Sequence, residues 1–390
     1  MMNRKLLGVV LICIVAVILA VVLAKKEPDS YKIGAVLSVT GMASFQGDPE
    51  KKTVEMVAEQ INAAGGIKGK KIELIVYDDE GDATKCKRYV KKLITKDKVT
   101  AIIGPSANGL SVSVIPIIEQ HQVPLISCAA SDRIVHNKWT GKPYPWVFKT
   151  PPSDSVAVEA IYRKMQLMGI YKIAIMSETS GFGASGRREL LRLAPQLKIV
   201  VVADETYDPK DIDMTAQLTK IKELAPQAIV NWSDGPTQVI VLWNWRELGM
   251  QNIRLFQSHH FGRHENLESA AGAASGVYCP LPACTIAELL PYDHPQKKVT
   301  MQYKENYMTK YNEPIGSFGG HAWDAMHLLV DALKAVGDDK AKIRDYLETK
   351  RKFIGQHGIF NFSAEDHNGL TKAAFQMVMA QGGGWVLADY

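Results

Sequence analysis

Two short stretches carry the residue types best suited to holding an anion. IIGPSANGLS (102–111) runs from an apolar pair into Gly104-Pro105 and then into small polar residues around Gly109. A second apolar run ends in LISCAAS (125–131). A turn that opens a helix presents free N–H groups and the positive end of the helix dipole, so it can hold phosphate or carboxylate. Phosphate is disfavoured here. GPSANGLS lacks the GK[ST] ending that brings lysine and a hydroxyl to a nucleotide and Mg²⁺. The first strand also leads into SVTGMASFQG (38–47) rather than GxGxxG, so a dinucleotide has no fingerprint. A carboxylate remains, against the plainer alternative of a capped helix with no ligand.

Other chemistry has less support. SETSGFGASG (177–186) has the look of a serine elbow but contains no GxSxG. His259, His260 and His264 fall within six residues. Three histidines can ligate a metal, but this spacing fits no standard zinc pattern. A loop lining a cleft is the simpler reading, and a metal-assisted enzyme is the weakest of the alternatives. No cofactor is called for. Cys86, Cys128, Cys279 and Cys284 are too few for a disulfide framework in so long a chain. Cys279 and Cys284 could close a small loop in an oxidising compartment, or remain free thiols.

The elements that must position these residues alternate in type. YKIGAVLS (31–38), KIELIVYDD (71–79), TAIIGP (100–105) and VPLISCA (123–129) read as buried strands. Helical apolar spacing occupies about 49–64, 82–96 and 109–121. Such βα repetition predicts a parallel sheet covered by helices on both faces, with ligands at the carboxyl ends of the strands. KPYPWVFKTPPSDS (142–155) breaks the rhythm with prolines, and the alternation then restarts. Strands are expected at 171–178, 197–205, 226–233 and 252–258, and helices at about 183–194, 211–224 and 237–248. Long helices follow over about 293–312 and 321–350. The apolar stripe of Trp323, Met326, Leu329, Val330 and Leu333 is read as core. The tail is expected to form strands and a hairpin.

A chain of 390 residues is longer than one core usually serves. Two α/β units joined by a proline-rich crossover imply two lobes with a cleft between them. The 46 basic and 41 acidic residues leave a net charge of +5, too small and too dispersed to argue for nucleic acid. Residues 6–24 are 19 uncharged residues between Arg4-Lys5 and Lys25-Lys26. Residues 1–24 are therefore expected to be a signal peptide or a membrane anchor, with the remainder extracytoplasmic. Val22-Leu23-Ala24 offers a small-residue cleavage site. Cys13 sits inside the apolar run and is an ordinary apolar residue there.

Taken together, YKIGAVLSVTG (31–41), INAAGGIKGKKIELIVYDDEGD (61–82), AIIGPSANG (101–109), VPLISCAAS (123–131), MSETSGFGASG (176–186) and the closing NGL…FQMVMAQGGGW (368–385) carry a resemblance. The sequence resembles the Leu/Ile/Val-binding, type I periplasmic solute-binding proteins of branched-chain amino acid ABC transporters. The resemblance implies a two-lobed α/β Venus-flytrap fold without catalysis. A small solute would bind between lobes joined by three crossovers, and closure would be read by a membrane permease. Lobe 1 is expected at 31–149 plus about 283–353, and lobe 2 at 150–282 plus about 354–390.

The resemblance also implies site residues. Asn108 stands where relatives commonly have a serine that meets a ligand carboxylate. Ala129, Ala130 and Ser131 match a turn that supplies backbone groups and a hydroxyl. Phe45 and Gln46 fall at the cleft edge, and Phe182 matches the aromatic that covers the ligand. Where relatives that take amino acids place an acidic residue, this chain aligns His260, and Asp234 could supply the carboxylate instead. Branched-chain or related amino acids are the expected solutes, with aromatic or other small carboxylates or an amide as the alternative. A membrane-anchored sensor of the same fold is a second alternative.

Overall fold

The computed structural model describes residues 30–137 and 139–388. The expected signal or anchor lies outside the described residues, as does Cys13. From the first described residue, strand and helix alternate: β1 (Ser30–Leu37), α1 (Ser44–Ala63), β2 (Lys71–Asp78), α2 (Ala83–Lys92), β3 (Ala101–Ile103), α3 (Asn108–His121), β4 (Leu125–Ser127) and β5 (Val147–Lys149). These strands form a parallel sheet in the order β2-β1-β3-β4-β5. Apolar cores fill both of its faces, which is why β1, β3 and β4 read as nearly unbroken apolar runs.

The second lobe repeats the plan with α4 (Asp154–Leu167), β6 (Lys172–Glu178), α5 (Gly181–Leu193), β7 (Val200–Tyr207), α6 (Thr215–Glu223), β8 (Ala228–Trp232), α7 (Thr237–Glu247), β9 (Arg254–Gln257), α8 (His264–Ala270) and β10 (Tyr278–Pro282). Three helices follow: α9 (Lys297–Tyr311), α10 (Ser317–Val336) and α11 (Lys340–Thr349). A short pair, β11 (Phe353–Ile354) and β12 (Ile359–Phe360), precedes β13 (Phe375–Gln381) and β14 (Gly384–Leu387). The second sheet has the order β14-β13-β10-β9-β8-β6-β7. Its last two strands form the expected hairpin, turned by Gly382 and Gly383 at positive φ, as two-residue hairpin loops require.

Several details differ from the sequence reading. The long helix expected over 321–350 is two helices, interrupted at Gly337 with φ +76°. Strands β5 and β10 sit among prolines that weakened their strand signal. Helix α1 begins at Ser44 rather than at Pro49. Proline marks a first turn in isolation, but here the helix extends one turn further back. Gly47 makes that possible, because a Cβ there would lie 2.2 Å from the Ser38 carbonyl carbon. The added turn is what carries Phe45 and Gln46 to the cleft.

Met326, Leu329, Val330 and Leu333 are buried in the first lobe's core, as the apolar stripe predicts. By core membership the chain stays with the second lobe through Leu290. It then stays with the first through Phe360, Phe362, Leu370 and Ala374 before β13 joins the second sheet. These handovers come later than residues 283 and 354, because the short β11–β12 pair packs its phenylalanines into the first core. Cys86, Cys128, Cys279 and Cys284 are all buried free thiols. Cys279 Sγ lies 3.2 Å from the Ser258 carbonyl, while Cys284 Sγ lies 3.8 Å from His357 Nε2.

Candidate ligand-binding site

Strand order reverses direction between β1 and β3 in the first sheet, and between β6 and β8 in the second. At such a switch point, neighbouring loops leave the sheet on opposite sides and open a crevice. The two crevices face one another and enclose a cavity of about 210 Å³. The first lobe contributes Met42, Ala43, Phe45 and Gln46 after β1, Ser106–Gly109 after β3 and Cys128–Ala130 after β4. The second contributes Glu178, Ser180, Gly181 and Phe182 after β6, Asp234–Pro236 after β8, and His260.

On the first wall, Gly104 has φ +92°, and a Cβ there would meet the Val36 carbonyl oxygen at 2.3 Å. Only glycine lets the turn lie this close to β1. Ser106 is fully used: its hydroxyl accepts from the Ser38 N–H at 3.1 Å and donates to the buried Glu50 carboxyl. Burial holds the Glu50 carboxyl well above the usual range, opposed in part by that Ser106 bond. Asn108 Oδ1 accepts from the Ser131 N–H at 2.9 Å. Its Nδ2 is buried with no hydrogen-bond partner. No side chain caps α3, so the N–H groups of its first turn are left without a side-chain acceptor.

The second wall is charged. Asp234 Oδ2 accepts from Gln46 Nε2 of the first lobe at 2.7 Å, and its Oδ1 accepts from the Gly235 N–H at 2.9 Å. His260 Nδ1 stands 3.0 Å from Asp234 Oδ2, an ion-pair distance whose alignment is poor for a hydrogen bond. Burial alone would raise the Asp234 pKa, but His260, then Arg263 and Gln46, outweigh it and hold the group below its ordinary value. Glu178 is pushed up to about 7 by burial and by the Asp234 charge, with the Ser180 hydroxyl opposing. Ser180 caps α5 by accepting from the Gly183 N–H at 3.1 Å, and it donates to Glu178 Oε1. Rings close the space. Phe182 stacks on His260 with centroids 4.1 Å apart, and Phe318 lies edge-on to His260 and to Phe45 at 4.8 and 5.7 Å.

The structure thus gathers Phe45, Asn108, Ala129, Phe182, Asp234 and His260 around one cavity. Ser131 is not on its wall. It sits behind Asn108, where its hydroxyl accepts from Ser185 Oγ of the other lobe at 2.8 Å. The three-histidine group does not assemble. His259 and His260 are buried, whereas His264 lies outside on α8, 3.0 Å from Glu268. Among the described residues no group of three potential ligands is placed to hold a metal. Arg133 is exposed. Arg263 lies 4.6 Å over the Phe45 ring.

Glu178, Ser180 and Phe318 escaped the sequence reading. The first two lie inside the SETSGFG stretch, from which the resemblance singles out Phe182 alone. Phe318 comes from α10, far along the chain, and carried no local signal. The structure also reveals a relay that spacing concealed. Ser317 Oγ lies 2.9 Å from His357 Nε2, and His357 Nδ1 lies 3.0 Å from Asp324 Oδ2. This is the order of a nucleophile, base and acid, but Ser317 is buried and lines neither the cleft cavity nor its neighbour. Asp324 also accepts the N–H groups of Gln356 and His357 at 2.6 and 3.1 Å. The set ties α10 to the 356–357 turn.

Comparison with known proteins places these features in context. A family model described as periplasmic binding protein matches residues 30–383. The leucine-, isoleucine-, valine-, threonine- and alanine-binding protein of Pseudomonas aeruginosa is 24% identical over 327 residues, covering 82% of each chain. An extracellular ligand-binding receptor from Rhodopseudomonas palustris HaA2 superposes with a TM-score of 0.83 at 26% identity, over 92% of this chain and 99% of that one. The LivJ substrate-binding protein of a Streptococcus pneumoniae branched-chain amino acid transporter, solved in complex with isoleucine, gives 0.76 at 26% identity, over 91% and 97%.

Proposed function

We propose that this chain, which belongs to the periplasmic binding protein family, is the extracytoplasmic solute-binding component of an ABC importer. It captures a small carboxylate-bearing solute between its lobes and delivers it to a membrane permease. The observation that carries this reading is Asn108. Its amide is buried on the cavity wall with a donor that nothing in the protein satisfies, beside the uncapped start of α3. A buried donor without a partner is unfavourable, and a carboxylate placed there would satisfy it together with helix N–H groups.

Branched-chain or related amino acids are the favoured solutes. The cavity is small, and Phe45, Phe182 and Phe318 give it apolar walls. Both lobes contribute contacts, so a bound solute favours the closed arrangement, and a permease can read that arrangement. The Gln46–Asp234 bond already joins the lobes across the cleft.

Native mass spectrometry of the purified protein tests the class of solute, and titration calorimetry follows with whatever co-purifies. A small carboxylate that is lost on Asn108→Ala is the expected result. A co-purified solute lacking any carboxylate, or one held unchanged by Asn108→Ala, would remove the reading.

A further inference from the structure

We infer that Gly181 is a positioning residue for closure: the start of α5 seats on the start of α3 across the cleft, and the missing side chain at 181 lets the lobes come close enough to seal the cavity. The inference rests on the reading of the cleft as a site that closes around a solute, and not on which solute that is. Helix α3 belongs to the first lobe and α5 to the second, and the two touch. Their first residues meet. A Cβ on Gly181 would lie 3.3 Å from the Gly109 N atom, 3.7 Å from the Gly109 Cα and 3.9 Å from Asn108 Cβ. All three atoms belong to the other lobe. The nearest is backbone, which a rotamer change cannot move aside. A side chain at 181 is therefore relieved by moving one helix start away from the other.

The relation is one-sided. Among the described residues, a Cβ on Gly109 would meet nothing within 4 Å. Neither glycine has a positive φ. Backbone conformation thus asks for glycine at neither place, and the approach of the lobes asks for it at 181. One turn along α5, the Ser185 hydroxyl donates to Ser131 Oγ at 2.8 Å and accepts from Arg188 Nη2 at 3.0 Å. Ser131 donates its N–H to Asn108 Oδ1 at 2.9 Å. Asn108, Ser131 and Ser185 are all buried, so these bonds join the lobes away from water. Gly109 and Gly181 both line the cavity. Their contact closes one side of it, and the serine pair behind holds the two helix starts in register. The Gln46–Asp234 bond reaches across the cleft through long side chains, which can follow the lobes as they part. The glycine contact has no such slack, so it sets how far closure goes.

The test traps the seat with a disulfide and needs no solute. Ser131→Cys and Ser185→Cys, combined in the full chain, place two thiols where hydroxyls lie 2.8 Å apart, within reach of disulfide geometry. Oxidation by copper–phenanthroline in air is timed, and peptide mapping distinguishes the new bond from any made by the five native cysteines. The pair is expected to cross-link. Adding Gly181→Val is expected to slow cross-linking by about tenfold or more, through a smaller closed population. Gly181→Ala should slow it by about twofold to threefold, and Gly109→Ala not at all. Thermal midpoints of the reduced proteins separate positioning from damage, with a shift of no more than about 3 °C expected for Gly181→Val. A pair that does not cross-link would mean that the helix starts do not meet. An unchanged rate in Gly181→Val would mean that residue 181 does not limit their approach. Either result overturns the inference, and so would Gly109→Ala slowing the reaction as much as its counterpart at 181. If Gly181→Val folds poorly, Gly181→Ala against Gly109→Ala decides alone. None of these outcomes bears on the carboxylate reading, which native mass spectrometry tests separately.

Discussion

On the first lobe, the cavity wall is the turn after β3 and the start of α3. On the second, it is the turns after β6 and β8. The two derive from the same βα plan and sit at equivalent switch points, yet they carry different chemistry. The first wall presents neutral donors: Asn108 and the uncapped first turn of α3. Its acidic neighbour Glu50 is tied to Ser106, and burial pushes its carboxyl well above the usual range. The second presents Glu178, Asp234 and His260, with Arg263 nearby. The comparison teaches a division of labour. A wall of fixed dipoles can hold the feature common to many solutes, while a wall of titratable groups can discriminate among them.

The largest expected effect separates two helix glycines, one on each lobe. Gly186 on α5 has no room for a Cβ, which would lie 2.0 Å from Trp232 Nε1 in the buried core. Gly109 on α3 has nothing within 4 Å. Gly186→Ala should cost about 3 kcal/mol or more. Gly109→Ala should be neutral or stabilising by up to about 1 kcal/mol. Equal denaturation midpoints for the two variants would erase this contrast between the lobes.

Next comes pH. Glu178, with its pKa raised to about 7, binds a proton in the folded state that the unfolded chain has released above about 4.5. The folded state therefore holds more protons across that window, and stability falls as pH rises through it, by at most about 3 kcal/mol from this group. Asp154, also raised to about 7 by burial and Asp132, adds a fall of the same sign. Glu178→Gln should flatten part of the slope in unfolding curves taken from pH 4.5 to 7.5. An unchanged slope would mean that Glu178 ionises as freely as any exposed carboxyl.

Smaller effects sharpen the first wall. Asn108→Ala should weaken binding of a carboxylate solute by roughly 1.5–3 kcal/mol, as for a hydrogen bond to a charged group. Ser131→Ala should cost only about 0.5–1.5 kcal/mol, because its hydroxyl serves the Ser185 contact between lobes rather than the cavity. Calorimetry that ranks Ser131 above Asn108 would reverse their roles. Gln46→Ala removes the bond to Asp234 across the cleft, along with a side chain of the cavity wall, and should lower apparent affinity by about tenfold. Small-angle scattering of the solute-free variant checks this, since an unchanged envelope would mean that the bond does not favour closure.

Much of the fold was legible because apolar runs and helical spacing are local. The strands at 71–78 and 172–178 and the helices at 108–121 and 237–247 fall within a few residues of their expected bounds. Elements built on prolines, such as β10, were not legible, since their backbone pairing is supplied by β13 from the far end of the chain. In the site, Phe45, Asn108, Phe182, Asp234 and His260 are legible because the family resemblance carries ligand positions onto loops that follow recognisable strands. Ser131 was assigned a cavity role that its position does not give it. A carboxyl-end residue can point at the cleft or at the neighbouring lobe, and the sequence does not distinguish these.

By itself the sequence determined the α/β alternation, the two-unit plan, the glycine turns and the exclusion of a phosphate loop. Those depend on residue type and on spacing within one or two elements. Tertiary structure alone decided which buried polar groups are satisfied. Asp234 is matched by Gln46, 188 residues earlier, while Glu178 Oε2 and Asn108 Nδ2 are left without partners. Partner choice across a cleft depends on distances of a few ångströms between distant segments, and no local pattern in the chain encodes them.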